Sequence, residues 1–385
     1  MSSWRECKLG DLGNVITGKT PSSKNPEDWG FEMPFVTPSD YKNYGKFALS
    51  SERNLSNYGI SRLQNKVLPE NSIMVTCIGS DMGKVAMNKT PVITNQQINS
   101  IIPNLKIVDS DFLYYRLVSL YETLRVYGSD GTAVPIVNKT DFENIETEIL
   151  PIEEQKVIAE VLSSLDDKID LLHRQNQTLE ELAQTLFRQW FIEEAKEEWE
   201  VGKLPDEFDF TMGLSPSGST YNEEQNGMPM FQGNADFEFR FPSNRVYTTD
   251  PKRIAERFDT LVSVRAPVGA QNMAKEKCCI GRGVASFRYK FDNSFYTYTY
   301  YKMHSLMEDI KQFNETGTVF GSIGKSDFEN IEIIKPPFEY VVKFQNQIKP
   351  LDEKIILNCE QIQTLKNLRD TLLPKLLSGE VRVEI

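Results

Sequence analysis

The stretch GTAVPIVNKTDFENIE, residues 131–146, occurs again as GTVFGSIGKSDFENIE, residues 317–332, with nine of the sixteen positions identical. The two stretches lie 186 residues apart. Agreement at one fixed displacement indicates that the chain contains two copies of one structural unit. The same displacement relates two further pairs of segments: LDDKI (165–169) with LDEKI (351–355), and QTLEEL (177–182) with QTLKNL (363–368).

The beginnings of the two copies also match, but at a displacement of 195 residues. At this displacement Trp4 corresponds to Trp199 and Gly18 to Gly213. Because 195 exceeds 186 by nine, the second copy is about nine residues shorter than the first. The difference must lie between the matched beginning and the matched end of the copies.

The end of each copy reads as one long helix. Its apolar residues recur three and four residues apart over about five heptads, which is typical of a coiled-coil seam. The predicted seam positions are Ile158, Leu162, Leu165, Ile169, Leu172, Asn176, Leu179, Ala183, Leu186 and Trp190 in the first copy, and Phe344, Ile348, Leu351, Ile355, Asn358, Ile362, Leu365, Arg369, Leu372 and Leu376 in the second.

Each predicted helix has one asparagine in its seam, Asn176 and Asn358. A buried asparagine that faces leucine leaves its amide unsatisfied, at a cost of about 1–3 kcal/mol. We therefore predict an antiparallel register in which the two asparagines face each other. This register leaves Leu165 opposite Arg369, whose charged head can extend outward past its own stem. The predicted helix-pairing residues are Leu172, Asn176, Leu179, Ile355, Asn358 and Ile362.

The first part of each copy has mixed periodicity. Segments 72–79 and 260–269 read as strands that end in glycine turns. Segment 109–128 reads as one amphipathic helix, capped by Asp and Ser at its start and stopped by glycine. We predict an α+β fold with two globular domains separated by two long helices that pair as an antiparallel coiled coil. The predicted boundaries are 1–150 and 196–336 for the globular domains, and 151–195 and 337–385 for the helices.

Residues 13–20 match the phosphate-binding pattern GxxxxGK[ST]. A phosphate loop must open a helix directly after its lysine. Here Pro21 and Pro26 follow within seven residues of Lys19, and proline disfavours the helical conformation. The second copy keeps the glycine as Gly213 but has Leu214 in place of the lysine. The motif therefore predicts a structural turn and not a nucleotide site.

Composition limits the class of protein. The chain has 385 residues with a net charge of −12, no run of 18 apolar residues and no basic-then-apolar leader, which predicts a cytoplasmic protein without membrane spans. Five cysteines without CxxC spacing and two histidines make a zinc site or a disulfide framework improbable. Two stretches are nevertheless basic: residues 41–108 carry 8 Lys/Arg against 3 Asp/Glu, and residues 240–290 carry 11 against 4.

Several segments are shared with a known protein family: Trp4 with KLGD (8–11), GKTPS (18–22), FVTPSDY (35–41) with MFQGNADF (230–237), TNQQIN (94–99), and LPIEEQKVIAEVLSSLDDKI (150–169). Together with the alternation of globular domain and long helix, they resemble the specificity (S) subunits of type I restriction-modification enzymes over the whole chain. The resemblance implies two target-recognition domains, each reading one half of a split double-stranded DNA sequence, with the helices as spacer. It also implies a non-catalytic subunit that places two methyltransferase (M) subunits and, in the full complex, restriction (R) subunits. S-adenosylmethionine, ATP and Mg would then belong to those partners.

On this reading, positive charge holds DNA phosphates while amide, hydroxyl and arginine groups read base edges. The loops at 128–139 and 315–325 are further candidates near DNA, and Asp40 and Asp236 are predicted to cap turns. The candidate DNA-binding residues are Lys19, Ser22, Lys24, Thr37, Ser39, Lys84, Asn95 and Gln96 in the first domain, and Gln232, Asn234, Arg253, Arg265, Arg282 and Lys325 in the second.

Two other classes of protein remain open from the sequence. One is a coiled-coil adaptor that binds proteins through duplicated globular ends, which the overall acidity favours. The other is a restriction-methylation enzyme. KPPF (335–338) is similar to a methyltransferase loop, and DDK (166–168) could be read as part of a nuclease. Lys335 lacks the amide carbonyl that such a loop needs, Asp166 lies in the heptad helix, and a methyltransferase FxGxG-type loop is missing.

Overall fold

The computed structural model describes residues 4–41, 45–129, 135–316 and 322–383. The chain forms two compact units. Unit 1 comprises Met1–His173 and Gln361–Ile385, and unit 2 comprises Arg174–Glu360. Each unit therefore contains one globular part together with segments of both long helices.

In unit 1 the strands form three antiparallel or mixed sheets, and all four residues of Ile73–Thr76 are buried. The strands are β1 (Arg5–Lys8), β2 (Gly13–Thr17), β3 (Trp29–Gly30), β4 (Met33–Val36), β5 (Arg53–Leu55), β6 (Ile73–Thr76), β7 (Val85–Met87), β8 (Ile93–Thr94), β9 (Ile98–Pro103) and β10 (Glu146–Ile149). Their orders in the three sheets are β2-β9-β6-β7, β3-β5-β4-β8 and β1-β10, with β4 and β8 parallel.

The helices of unit 1 cover the sheets and then lead into the long helix. They are α1 (Asn57–Arg62), α2 (Ser110–Ser119), α3 (Tyr121–Ser129), α4 (Lys139–Asn144) and α5 (Ile152–Arg188), the last of which continues into unit 2. Asp109 caps α2, as predicted, by accepting from the backbone N–H groups of Asp111 and Phe112.

The single helix predicted over 109–128 is wrong. The chain forms α2 and α3, separated at Leu120, and Gly128 lies inside α3. The Leu120 N–H donates to Leu117 O at 3.1 Å, which is the tighter spacing of a 3₁₀ turn, and Leu120 O then accepts from Leu124 N–H to begin the next helix. The amphipathic pattern continues across the break, so periodicity alone does not detect it.

Unit 2 repeats the arrangement. Its strands are β11 (Glu200–Lys203), β12 (Phe208–Met212), β13 (Tyr221–Asn222), β14 (Met228–Phe231), β15 (Tyr247–Thr248), β16 (Ile254–Ala255), β17 (Thr260–Ser263), β18 (Gln271–Met273), β19 (Cys278–Ile280), β20 (Val284–Tyr289) and β21 (Glu332–Lys335). Their orders in the three sheets are β12-β20-β17-β18, β13-β15-β14-β19-β16 and β11-β21. Its helices are α6 (Leu204–Glu207), α7 (Tyr296–Ser305), α8 (Met307–Thr316), α9 (Lys325–Asn330) and α10 (Phe338–Ser378), which continues into unit 1.

The difference in length between the copies falls mainly between the fifth strand and the central hairpin. Unit 1 places helix α1 between β5 and β6, whereas unit 2 connects β15 to β17 through the two-residue strand β16. The strands on either side keep their order and partners. The repeat therefore preserves the order of the shared strands, and unit 2 adds β16 at the edge of one sheet.

The long helices span Ile152–Arg188 and Phe338–Ser378. Helix α5 ends in a π-helical turn at Gln189–Glu193, and Gly379, with φ of +77°, follows the end of α10. In unit 2 the ring centroids of Trp190 and Phe344 are 6.0 Å apart. In unit 1 Ile169 and Leu172 of α5 pack in one buried cluster with Ile362 of α10, against which Leu365 is partly buried. No helix in the described part of the chain is long and apolar enough to cross a membrane.

Candidate nucleic-acid interface

The segment after β2 is a turn and not a phosphate loop. Gly18 N–H donates to Ile98 O at 3.1 Å, and Lys19 N–H donates to Thr94 O at 2.8 Å. A Cβ on Gly18 would lie 2.2 Å from the backbone oxygen of Asn95. No helix begins at Lys19. The glycine is required because two backbone segments approach each other closely at this position.

Unit 2 builds the same turn. Gly213 N–H donates to Val284 O at 2.9 Å, and Leu214 N–H donates to Ile280 O at 3.0 Å. A Cβ on Gly213 would lie 2.1 Å from Gly281 O. The same close approach therefore explains why the glycine occurs in both copies while the lysine becomes leucine.

In unit 1 this turn meets three other loops, and we call the combined surface edge 1: residues 18–24, 37–40, 77–84 and 95–97. Asn95 N–H donates to Val36 O at 3.1 Å, and Cys77 N–H donates to Gln97 O at 2.7 Å. The Thr20 hydroxyl donates to Gln96 Oε1 at 2.6 Å. These bonds bring together the predicted residues Lys19, Thr37, Asn95 and Gln96 from three separate loops.

In unit 2 the corresponding surface is edge 2, which comprises the loops that carry Ser215, Gln232, Arg253, Arg265 and Arg282. Gly281 N–H donates to Phe231 O at 2.8 Å, which places the Arg282 loop beside Gln232. Val264 N–H donates to Gly283 O and Ile280 N–H to Arg253 O, both at 2.9 Å, so the other two arginines follow on the same edge. Arg282 N–H donates to the Ser215 hydroxyl at 3.1 Å. Residues that are up to 67 positions apart in the chain thus converge.

The cations of the two edges differ in how they are paired. Lys84 lies 2.8 Å from Asp81, and Lys325 lies 3.4 Å from Glu329. Within the described residues, the side chains of five other predicted cations are exposed and have no acidic partner within salt-bridge distance: Lys19, Lys24, Arg253, Arg265 and Arg282. These five are available for phosphate oxygens or base edges without first breaking an ion pair.

Several predicted polar residues hold the turns themselves. Asn95 is buried, and its Nδ2 donates to Gln97 Oε1 at 2.8 Å. The Thr37 hydroxyl donates to Asp40 Oδ2 at 2.8 Å and is 2.8 Å from the Ser39 hydroxyl. The hydroxyl of Ser22 accepts from Lys24 N–H at 3.3 Å. Gln96 and Gln232 are exposed and Asn234 is half-buried, so these amides are more accessible than that of Asn95.

Asp40 and Asp236 cap turns, as predicted. The carboxylate of Asp40 accepts from Thr37 N–H at 2.7 Å, and that of Asp236 accepts from Gln232 N–H at 3.1 Å. Both carboxylates therefore support a loop of the edge from beneath. Arg245 also binds Asp236, so this acid is paired in unit 2.

Sequence reasoning missed three residues that organise the edges: Thr20, Gln97 and Ser215. Thr20 and Ser215 correspond at the displacement of 195 and are both hydroxyl residues that bond to the loop after β8 or β19. That correspondence was the available signal. Gln97 shows none, because its role depends on its contacts with Asn95 and Cys77.

The two candidate loops near DNA are described only in part. Residues 130–134 and 317–321 lie outside the described residues. Among those described, Val137 N–H donates to Cys77 O at 2.9 Å, and Ile323 N–H donates to Val264 O at 3.1 Å. The described ends of both loops therefore join edge 1 and edge 2, respectively.

Residues that suggested catalysis have structural partners. Asp166 accepts from the Tyr115 hydroxyl at 2.6 Å and from Arg369 Nη1 at 2.7 Å. Lys335 lies 3.1 Å from Glu200 across the β11–β21 pair. In the described residues, no group of three or more His, Cys, Asp or Glu is arranged to hold a metal ion. Burial raises the pKa of the Cys77 thiol to about 12, which makes it unreactive near neutral pH.

Comparison with known proteins identifies the family. The family model for the type I restriction modification DNA specificity domain matches residues 1–181 and again residues 196–367. The chain is 30% identical to the type I restriction enzyme MjaIX specificity subunit of Methanocaldococcus jannaschii, covering 99% of this chain and 94% of that one. It is 37% identical to the HindI specificity subunit of Haemophilus influenzae over 43% of this chain and 37% of that one.

A solved S subunit of a type I restriction-modification system from M. genitalium has the same fold, with a TM-score of 0.60 at 18% identity, covering 99% of this chain and 96% of that one. The two matched domains fall on the two repeated units. The chain therefore belongs to the type I restriction-modification specificity subunits, as its motifs predicted, and is a DNA-binding protein.

Proposed function

We propose that the chain reads an asymmetric, bipartite double-stranded DNA target, one half through edge 1 and the other through edge 2. One observation carries this proposal: the two edges share a backbone frame but present different side chains. Gln96 on edge 1 corresponds to Arg282 on edge 2, and Lys19 corresponds to Leu214. Equal frames with unequal reading groups suit two halves of different sequence.

The division of work within an edge follows from exposure and pairing. The unpaired cations Lys19, Lys24 and Arg253 are suited to phosphates, which fix orientation without sequence preference. Gln96, Gln232, Arg265 and Arg282 have exposed amide or guanidinium groups that match base edges in the major groove. Ser22, Thr37, Ser39, Lys84, Asn95, Asn234 and Lys325 complete the proposed surfaces.

The long helices are proposed to pair as an antiparallel coiled coil that sets the unread spacer between the half-sites. The reading domains are 1–150 and 196–336, and the helices are 151–195 and 337–385. An approximate two-fold relation between the copies would offer equivalent surfaces to two identical M subunits. R subunits join in the full complex. We assign S-adenosylmethionine, ATP and Mg to those partners, no catalysis to this chain, and the cytoplasm as its location.

Exchange of one domain tests the division. Residues 1–150 are replaced by the corresponding domain of another specificity subunit, and the chain is expressed with its M subunits. Methylome sequencing should show one half of the methylated sequence changed and the other half kept. The reciprocal exchange of residues 196–336 is the matched control and should change the other half. Alteration of both halves by one exchange, or of neither, would contradict the proposal.

A further inference from the structure

Among the described residues, a buried cation of each unit lies against that unit's segments of the long helices. Lys46 in unit 1 is 7% exposed, and Arg240 in unit 2 is 1% exposed. The two occupy the same place in the repeated frame, because Met87 N–H donates to Lys46 O and Met273 N–H donates to Arg240 O, each at 2.9 Å. A cation is costly to bury unless it is paired. The partners of these two cations therefore matter.

In unit 1 Lys46 lies at the junction between the globular part and the long helices, and its partners come from both. Its Nζ lies 2.5 Å from the Asp111 carboxylate of α2 and donates to the Ser163 hydroxyl of α5 at 2.9 Å. Beside it, Asp166 of α5 is paired with Arg369 of α10 at 2.7 Å. We call the helix side of this junction seat 1, and it presents one carboxylate and one guanidinium, which compensate each other.

In unit 2 the partners of Arg240 come mainly from the helices. Its Nη1 donates to Asp352 Oδ1 of α10 at 2.8 Å, and its Nη2 lies 3.7 Å from Glu180 of α5. The guanidinium carbon is 3.9 Å from the centroid of the Tyr300 ring. Thr297, which corresponds to Asp111 of unit 1 at the displacement of 186, donates its hydroxyl to Asp352 Oδ2 at 3.0 Å. Unit 2 therefore has a hydroxyl where unit 1 has a carboxylate. The helix side of this junction, seat 2, presents two carboxylates.

The displacement of 186 residues shows how the two seats diverged. Asp166 and Asp352 correspond, so both seats keep one carboxylate. Glu180, the second carboxylate of seat 2, corresponds to Lys366 of α10, so the charge at this position is reversed in unit 1. Arg369 of seat 1 corresponds to the buried Ala183. Moving the second domain to seat 1 would bring Arg240 beside Arg369, and moving the first domain to seat 2 would bring Asp111 toward two carboxylates.

We propose that Lys46 and Arg240 are positioning residues that match each reading domain to its own seat, so that neither domain fits the seat of the other. Each cation acts by holding its sheets, and with them edge 1 or edge 2, at a fixed position on the helix segments of its unit. Neither cation is assigned a contact with DNA. The consequence for DNA reading rests on the proposed function, whereas the pairing of domain and seat does not.

The first test compares Glu180→Lys with Glu181→Lys in the purified full-length chain. Both substitutions make the same charge change on the same helix, but Glu181 is exposed. Glu180→Lys should lower the midpoint of thermal unfolding by more than about 4 °C, and Glu181→Lys should leave it within about 1 °C. Adding Arg240→Met to Glu180→Lys should recover part of the loss, because the two cations no longer meet. Equal midpoints for the two single variants would overturn the proposal without touching the proposed function.

The second test reads out DNA specificity in the assembled complex. Arg240→Lys keeps the cation and should keep both halves of the methylated sequence. Arg240→Gln should relax the half read by unit 2 and leave the other half intact, whereas a general folding defect would reduce methylation at every site alike. Lys46→Gln is the matched variant and should relax the opposite half. Uniform loss in both glutamine variants would reduce the two cations to ordinary structural residues and overturn the proposal.

The third test moves a domain. A chain carrying residues 196–336 in both domain positions is made with native helices and with Lys366→Glu and Arg369→Ala. Methylation of a sequence built from two copies of the second half-site is expected only with the altered helices. Equal success of both chimeras, or failure of both, would overturn the proposal. If the native chain, with both of its own domains, did not direct methylation of a bipartite sequence, the proposed function would be refuted instead.

Discussion

Asn358 Nδ2 donates a hydrogen bond to Asn176 Oδ1 at 2.9 Å, and both side chains are fully buried. Asn176 Nδ2 lies 3.5 Å from Cys359 Sγ, a weak acceptor. The two buried amides thus share one hydrogen bond with each other, and among the described residues Asn358 Oδ1 has no partner. The neighbouring predicted mismatch is also resolved, since Arg369 turns to Asp166 instead of facing Leu165 alone.

Replacing one asparagine with leucine should be more harmful than replacing both. Asn176→Leu or Asn358→Leu leaves the other amide buried without its partner, at a cost of about 1–3 kcal/mol in the free energy of unfolding. The double variant Asn176→Leu/Asn358→Leu should recover most of that loss. Denaturant unfolding of the three variants measures this, with the exposed Asn367→Leu as control. Additive losses in the double variant would show that the pair is not coupled.

Removing an arginine from edge 2 should distinguish base reading from phosphate contact. Arg282→Ala or Arg265→Ala should cost about 1–3 kcal/mol of DNA affinity in the assembled complex and relax one position of the target, if the guanidinium reads a guanine. A phosphate contact would instead weaken all sequences alike and flatten the dependence on salt. Binding is measured on a set of single-position target variants at two salt concentrations.

The control for this measurement is Arg188→Ala, which removes an exposed arginine that is paired with Glu193 on the long helix. It should leave both affinity and sequence preference unchanged. The assignment of Arg265 and Arg282 to the DNA surface fails if their alanine variants behave like Arg188→Ala.

Gly18→Ala should disturb edge 1 although it adds a single methyl group. The new Cβ would lie 2.2 Å from a backbone oxygen, so β2 or the 94–95 segment must move, at about 1–3 kcal/mol. Gly218→Ala is the control, because nothing lies within 4 Å of its added Cβ. Lys19→Leu, which copies Leu214 of unit 2, should leave thermal stability unchanged. If Mg-ATP stabilised the native chain and Lys19→Leu abolished that stabilisation, Lys19 would belong to a nucleotide site, contrary to the interpretation given above.

The stability of the chain should depend on His173 below neutral pH. Burial, with a further contribution from the positive charge of Lys366, lowers the pKa of His173 from 6.5 to about 4. The folded state therefore binds a proton at His173 less readily than the unfolded state does. The stability that depends on a neutral His173 is present above pH 6.5 and is lost as the pH falls toward 4. Between pH 7 and pH 4, the midpoint temperature of thermal unfolding should fall less steeply for His173→Gln than for the native chain. Parallel curves for the two proteins would show that His173 does not titrate in this way.

The features that depend on local pattern and on the repeat could be predicted from the sequence. The heptad spacing predicted α5 and α10 and placed Asn176 against Asn358, because seam residues recur along one helix face. The second copy showed that Gly18 was a structural glycine, since only the glycine of the motif persists as Gly213. The break at Leu120 was not predicted, because a change from four-residue to three-residue hydrogen bonding leaves the apolar pattern intact.

Which residues share a surface or a junction depends on how the chain packs and not on local pattern. Arg253, Arg265 and Arg282 meet on edge 2 because β16, β17, β19 and β20 pair at particular registers, and no local pattern encodes those pairings. The equivalence of Lys46 and Arg240 was likewise hidden, since they lie at a displacement of 194, between the two displacements that the sequence shows. Their burial depends on carboxylates from distant helices. Strand register and long-range charge pairing are set when the chain packs, so these relations appear only in the folded molecule.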